Sequence, residues 1–357
     1  MGNFHHGVII THLDAKGQIC YDVSMLDYYQ NKTVLLTGAA GLIGSHLTTK
    51  LLDNGARVIG VDNFISNLKS NLDEFASNPN FTLIETDASL PPGNYLPADI
   101  SIDAIFHFAS PASPPIYQRY PVETYLVNSL GTHNLLSFLH GHNPGGRFVM
   151  ASTSEIYGNP QVHPQPENYW GNVNPNGVRS CYDESKRLSE TICGVFHRNF
   201  GVDARILRIF NTYGPKNNPN DGRIIPQFIK QYLAGEKLSI YGDGSQTRSY
   251  CFVDDLVEGV LLFGAADNLA GETINLGNPD EFTVLETARV FNELVGRPPE
   301  EITFLELPQD DPTQRRPDIS RAQNLIGWQS QTDFRTGLKK TIDWYINQKN
   351  NQESNQK

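Results

Sequence analysis

Short apolar runs alternate with helical periodicities along most of this chain. Thr33-Val34-Leu35-Leu36-Thr37 is long enough for a strand buried on both faces. Ile43, Leu47 and Leu51 then recur at helical spacing, which predicts a helix that Gly55 is placed to end. The next strand candidates are Arg57 to Val61, Phe81 to Glu85, Ala104 to Phe108, Arg147 to Ala151 and Ala204 to Arg208. Strand alternating with helix predicts an α/β protein built on a Rossmann-type doubly wound parallel sheet. From about Pro215 the character changes, with Pro, Asn, Gly and Asp dense in Gly214 to Gly222 and again in Tyr241 to Ser245. A smaller C-terminal α/β substrate-binding lobe is therefore expected from 216–249 and 276–348. The dinucleotide-binding domain takes 31–215, with 250–275 returning to it. Residues 1–30 read as an extension, an extra strand or an oligomer arm, and 349–357 as a tail that frays.

Composition narrows the class. At 357 residues the chain exceeds what one small core organises, so two lobes are expected. No apolar stretch is long enough to span a bilayer. The opening segment carries His5, His6, Asp14, Lys16 and Asp22, which does not read as a signal peptide. Cys20, Cys181, Cys193 and Cys251 have no CxxC spacing, which suggests reduced thiols in a cytoplasmic protein and no metal site. A net charge of −11 argues against nucleic acid as a partner, so an anionic substrate needs a local cluster of arginines.

The first strand runs into Gly38, Gly41 and Gly44, around Leu42 and Ile43. Such glycines allow a tight turn, close backbone approach to a pyrophosphate and tight packing of helix on sheet. The amides and dipole of the following helix would face the phosphates. The second strand ends at Asp62-Asn63. An acidic residue there accepts hydrogen bonds from ribose hydroxyls and repels a 2′-phosphate, which favours NAD over NADP. Asp87-Ala88 after the third strand is placed to meet the adenine, and Ala109-Ser110 after the fourth to line the cofactor.

Far downstream, Tyr182 and Lys186 sit at i, i+4 and share a helix face. A nearby ammonium favours the phenolate, so Lys186 is expected to draw Tyr182 from about 10 towards the working pH, and to hydrogen-bond the nicotinamide ribose. Thr153, at the C-terminal end of the strand from Arg147, is the candidate third group, holding a substrate hydroxyl. A phenol, an ammonium and a hydroxyl behind a dinucleotide turn point to oxidation or reduction of an alcohol.

From about Lys32 to Ile346 the chain resembles the extended short-chain dehydrogenase/reductases that act on nucleotide sugars, and among them the UDP-glucuronate decarboxylases (UDP-xylose synthases). The blocks that carry this are Ser110 to Pro115, Thr153 to Gly158, His163-Pro164-Gln165, Tyr169 to Pro175, Arg179 to Glu184, Arg208 to Pro215, Asn220 to Arg223, Tyr241 to Arg248 and Arg315 to Ile319.

The resemblance implies a C4 ketone intermediate, made by Tyr182 with Thr153 and NAD, that loses its C6 carboxylate as CO2 and is then reduced again. It implies roles for Glu155 and Arg315 around the decarboxylation, with Ser154 beside them. Either Glu155 destabilises the carboxylate or assists proton transfer, and Arg315 either holds the carboxylate or donates a proton. Asn211, Thr212, Arg223 and Arg248 are implied as contacts to the UDP portion; Tyr241 either packs on uracil or ribose or is a packing tyrosine. Two arginines suit a diphosphate, because the guanidinium fork binds oxyanions bidentately. The resemblance further implies a homodimer through the helices Tyr125 to Leu139 and Tyr182 to Phe200. Val127, Leu130, Asn134, Leu135 and Phe138 form a mixed stripe that either a partner or the sheet buries. One departure stands out. Leu126 occupies a position where decarboxylase relatives often carry a lysine facing sugar and cofactor, which puts in question how the glucuronate carboxylate is held.

Overall fold

The structure is a computed structural model that describes residues 12–13, 19–20, 23–306 and 314–355. Seven strands form one parallel sheet: β1 (Thr33–Thr37), β2 (Arg57–Asp62), β3 (Phe81–Glu85), β4 (Ala104–His107), β5 (Arg147–Thr153), β6 (Asp203–Ile209) and β7 (Thr273–Leu276). Their spatial order is β7-β6-β5-β4-β1-β2-β3. The order reverses between β1 and β4, and that switch point opens a crevice at the carboxyl ends of the strands.

Ten α-helices lie among the described residues: α1 (Leu42–Asp53), α2 (Pro114–Arg119), α3 (Pro121–Leu126), α4 (Thr132–His142), α5 (Ser180–Phe200), α6 (Ile224–Leu233), α7 (Val253–Ala265), α8 (Val284–Leu294), α9 (Ser320–Ile326) and α10 (Phe334–Asn355). The continuous apolar run of β1 follows from burial on both faces. Val34 and Leu36 join one core with Leu47 of α1 and Val257 of α7, whereas Leu35 joins the other with Leu135 of α4 and Phe196 of α5. A third core, around Phe228, Ile240, Phe291 and Leu338, holds α6, α8 and α10 against Leu238–Tyr241, which pairs in parallel with Ile302–Leu305. This is the smaller lobe.

Several expected boundaries shift. The strand expected to stop at Ala151 continues through Ser152 and Thr153, paired with Arg208 and Ile209, and so delivers Thr153 to the rim of the sheet. The end of the 1–30 extension is part of the core: Tyr29 is fully buried, and its hydroxyl donates to the Leu261 carbonyl at 2.8 Å. Residues 1–11, 14–18 and 21–22 lie outside the described residues. Within the stretch expected in the lobe, Ile319, Ala322, Ile326 and Trp328 pack into the sheet's core instead, and the Trp328 indole donates to the Asp255 carbonyl. The tail expected to fray is helical to Asn355, tied down where Lys349 donates to the Leu233 carbonyl.

The expected helix Tyr125 to Leu139 is α3 and α4 joined by a π-turn over Val127–Gly131. Its stripe divides. Val127, Leu135 and Phe138 face the core, while Leu130 is exposed with Val122 and Tyr125. On α5, Leu188, Val195 and Phe200 are exposed as well.

Candidate active site

The glycine turn is sterically committed. Gly38 has φ +75°, and a Cβ added there would lie 2.7 Å from the Ala109 amide; one added at Gly44 would lie 2.0 Å from the Gly38 carbonyl. Backbone therefore meets backbone where the phosphates of a dinucleotide need the space. The Asp62 carboxylate accepts from the Ala40 amide at 2.9 Å and the Phe64 amide at 2.8 Å. Its burial pushes its pKa up, against these hydrogen bonds. Asp62, Asn63, Asp87, Ala88, Ala109 and Ser110 line one cavity with Gly38. Gly41, Leu42, Ile43 and Gly44 line the adjoining one, which also takes in Thr153, Ser154, Glu155, Tyr182 and Lys186. All the residues expected at the cofactor thus meet along one continuous crevice. Ser66 and Asn67 border both cavities, and no sequence pattern marked them.

At the reacting end, β5 presents Thr153 and α5 presents Tyr182 and Lys186. The Thr153 side chain lies beside the Tyr182 phenol, where it favours the ionised form. Its ring stacks on Tyr117 at 5.1 Å between centroids and 4° between planes. Tyr117 is buried, and the sequence reading did not single it out. The Lys186 ammonium lies 5.8 Å from the centre of the Tyr182 ring and donates to the Ala151 carbonyl at 2.7 Å.

Burial works against the expected pull of Lys186 on the phenol. It pushes Tyr182 well above the ordinary range, against the influence of Thr153. Lys186 itself is lowered to about 7 by burial, with Cys193 and Glu190 opposing. The lysine stays charged up to 10.5 in the unfolded chain but only up to about 7 in the folded one. Between those values the unfolded state binds the extra proton, so stability rises with pH, and the cost of burying the ammonium is complete only below about 7. Lys186→Met should therefore stabilise the protein below that pH by on the order of a few kcal/mol, a gain that shrinks towards about pH 10. Denaturant unfolding of both proteins at about pH 6 and 9 checks this; a pH-independent difference would count against it.

Beside the phenol lies a charge cluster. Glu155 Oε2 accepts from Arg179 at 2.5 Å and from Arg315 at 3.1 Å. Burial would raise this carboxyl, but Arg315, Arg179 and Arg248 outweigh it and hold it well below the usual range. Arg179 also faces Asp183 at 3.9 Å. Arg315 differs from the expectation that it faces the sugar. It is 1 % exposed, lines none of the three cavities among the described residues, and donates to the Ser154 carbonyl at 2.8 Å while its own carbonyl accepts from Ser249. It reaches the cleft through Glu155. Arg179, to which sequence analysis gave no role, stands on the wall of the larger cavity with Arg223 and Arg248. Its position three residues before Tyr182, one turn along the same helix, was the available signal.

Asn211, Thr212 and Arg223 are shared between the reacting end and a larger cavity that adds Arg179, Tyr241, Arg248 and Tyr250. The guanidinium of Arg223 is oriented by two hydrogen bonds to Asp221, at 2.6 and 2.9 Å. Tyr241 is 45 % exposed, so it is no packing tyrosine, and its ring is available to a flat ligand. Leu126 is half-buried and lines none of the three cavities; its neighbours Glu123 and Val127 line the cofactor cavity. Among the described residues no group of His, Cys, Asp and Glu is arranged to hold a metal ion.

Comparison with known proteins bears on this geometry. The chain is 44 % identical to UDP-glucuronic acid decarboxylase 1 of Xenopus tropicalis over 334 residues, covering 94 % of this chain and 77 % of that one. It is 46 % identical to UDP-glucuronic acid decarboxylase 6 of Arabidopsis thaliana over 312 residues, covering 87 % and 88 %. A crystal structure of UDP-glucuronic acid 4-epimerase from Bacillus cereus, in complex with UDP-glucuronic acid and NAD, superposes with a TM-score of 0.77 at 28 % identity, covering 88 % of this chain and 99 % of that one. The family model described as the NAD-dependent epimerase/dehydratase family matches residues 34–277, the stretch from β1 through β7 that holds the glycine turn, Thr153, Tyr182 and Lys186. With that match and that arrangement together, the chain belongs to the NAD-dependent epimerase/dehydratase family.

Proposed function

We propose that the protein decarboxylates UDP-glucuronate to UDP-xylose. The observation that carries this is Glu155, an ionised carboxylate clamped between Arg179 and Arg315 two residues from Thr153. NAD, held by the Gly38–Gly44 turn, Asp62 and the Asp87-Ala88 and Ala109-Ser110 loops, supplies a hydride acceptor at the start and a hydride donor at the end. Tyr182 takes the proton from the sugar C4 hydroxyl while Thr153 hydrogen-bonds that oxygen. Lys186 anchors the nicotinamide ribose.

The C4 ketone stands β to the C6 carboxylate, so the bond to CO2 breaks with its electron pair delocalised as an enolate. Glu155, beside the departing carboxylate, disfavours the charged ground state, and the arginines stabilise the enolate charge. Protonation at C5 and reduction at C4 complete a reaction with no net redox change. At the far end Arg223 and Arg248 bind the diphosphate, Asn211 and Thr212 support it, and Tyr241 packs on the uracil or ribose.

Decarboxylase relatives at this level of identity support the reading. A 4,6-dehydratase usually places Asp-Glu after the threonine, where this chain has Ser154-Glu155. A 4-epimerase must let the keto sugar rotate and survive, for which a Glu155–Arg315 pair serves no purpose. Incubation with UDP-glucuronate should release CO2 and UDP-xylose; UDP-galacturonate without CO2 would identify an epimerase instead. NAD should be retained tightly and NADP used poorly, because Asp62 closes the site to a 2′-phosphate. Comparable affinity for both in titration would contradict that.

The protein is also proposed to act as a cytoplasmic homodimer. The free thiols of Cys181, Cys193 and Cys251 support the compartment. The exposed Val122, Tyr125, Leu130, Leu188, Val195 and Phe200 on neighbouring helices support the dimer. Sedimentation should give twice the chain mass of 39.8 kDa at micromolar concentration, and the single-chain mass would reject it.

A further inference from the structure

A reaction with no net redox change needs the hydride taken from C4 to be at hand when the ketone is reduced. A cofactor that escaped in between would strand the ketone. The crevice therefore has to hold the dinucleotide through both transfers, and its walls come from both lobes.

One wall is the glycine turn with the segment after β2, where Ser66 and Asn67 border both adjoining cavities. The other includes Asn217, Asp221 and Arg223, from the segment that leads into α6. Asn71 joins the two. It is 7 % exposed, on a short 3-10 helix over Lys69–Phe75. Its side-chain amide donates to the Ala40 carbonyl and to the Lys216 carbonyl, each at 2.8 Å. Both hydrogens of one amide are thus used, one towards each lobe. The Ala40 amide is itself held by Asp62 at 2.9 Å, so the tie runs into the cofactor turn.

Two further contacts run beside it. Asn218 Nδ2 donates to the Ser66 carbonyl at 3.0 Å. The Lys216 ammonium pairs with Glu74 and lies 5.4 Å from the centre of the Phe75 ring. Lys216 has φ +66°, a left-handed conformation that a lysine keeps only where its surroundings hold it. Here its backbone and its side chain both engage the 3-10 helix. On the other side the Tyr345 hydroxyl of α10 donates to the Asn217 carbonyl and anchors the segment to the smaller lobe. Asn71, Glu74, Lys216 and Asn218 line none of the three cavities among the described residues, so they act on the walls and not on a ligand.

We propose that Asn71 is the central positioning residue of a clasp, completed by Asn218 and the Lys216–Glu74 pair, that keeps the dinucleotide enclosed between the lobes. Cofactor exchange requires these contacts to part. The clasp is independent of the sugar; its consequence for turnover rests on UDP-glucuronate decarboxylation as the reaction. If it opens midway, CO2, NADH and a UDP-4-keto-pentose leave in place of UDP-xylose.

The test loads the full-length protein with NADH and follows its release into excess NAD by fluorescence. Asn71→Ala should release NADH about tenfold or more faster than the unmodified protein, having lost two hydrogen bonds. Asn218→Ala and Glu74→Gln should each release it a few fold faster. Unfolding midpoints are recorded beside the rates, because a purely structural role lowers the midpoint and leaves the release rate where it was. An unchanged release rate in Asn71→Ala overturns the proposal. If Asn71→Ala does not fold, Asn218→Ala decides: faster release supports the clasp, and an unchanged rate overturns it. With UDP-glucuronate, Asn71→Ala should yield free NADH and the UDP-4-keto-pentose beside UDP-xylose. UDP-xylose alone from a fast-releasing variant overturns the consequence for turnover. Absence of CO2 from the unmodified protein removes the decarboxylase reading and leaves the release measurement standing.

Discussion

Tyr182→Phe should lower kcat by about 10²–10⁴-fold while leaving UDP and NAD affinity within a few fold. In the proposed reaction the phenol hydroxyl supplies the proton transfer at C4, and only that atom is removed. The ring makes the parallel stack on Tyr117 and is 5 % exposed, so the packing that shapes the site survives the change. Stability should be little altered, because a polar contact of the hydroxyl is worth about 1 kcal/mol and phenylalanine no longer has a hydroxyl to keep buried. Steady-state turnover, with UDP affinity by calorimetry as the control, checks this. Near-normal turnover would remove Tyr182 as the base.

Arg315→Ala should separate decarboxylation from oxidation. It leaves the Ser154 carbonyl without its donor and Glu155 with Arg179 as its remaining close cation. Breaking a buried pair by deleting one partner costs roughly 2–5 kcal/mol, or about 30-fold and more in rate when the pair acts in the rate-determining step. CO2 and xylose product should therefore fall by at least that factor, while Tyr182-dependent NADH formation stays detectable as the ketone accumulates. Arg315→Lys, which keeps the charge, should recover part of the loss. Wild-type-like CO2 release from Arg315→Ala would refute the role.

The sheet was legible because the centres of β1, β2 and β4 are buried on both faces and therefore apolar, and because the glycine turn has no room for a Cβ. Strand ends were less legible. Ser152 and Thr153 are polar, so an apolar run stops before them, yet they pair with Arg208 and Ile209 in the ladder. The helical tail was obscured by its polar composition, while the contacts of Ile342 and Tyr345 with the lobe core hold α10 in place. Tyr182, Lys186 and Thr153 were readable from local spacing and from the strand that precedes them. What spacing could not supply was depth. Arg315 and Arg248 both read as loop arginines, but the first is enclosed behind Glu155, whereas the second sits on the short strand Thr247–Ser249 and lines the cleft. The phenol's direction of shift was missed for the same reason, since desolvation on burial outweighs a lysine that the fold directs at a backbone carbonyl.

The central claim is that one hydride leaves C4 and returns to C4 around a loss of CO2. UDP-glucuronate deuterated at C4, turned over in ordinary water with unlabelled NAD, tests it most directly. UDP-xylose that keeps the C4 deuterium, and in heavy water gains one deuterium at C5, is the predicted result. Xylose product that has lost the C4 label, or no xylose product at all, would contradict the account.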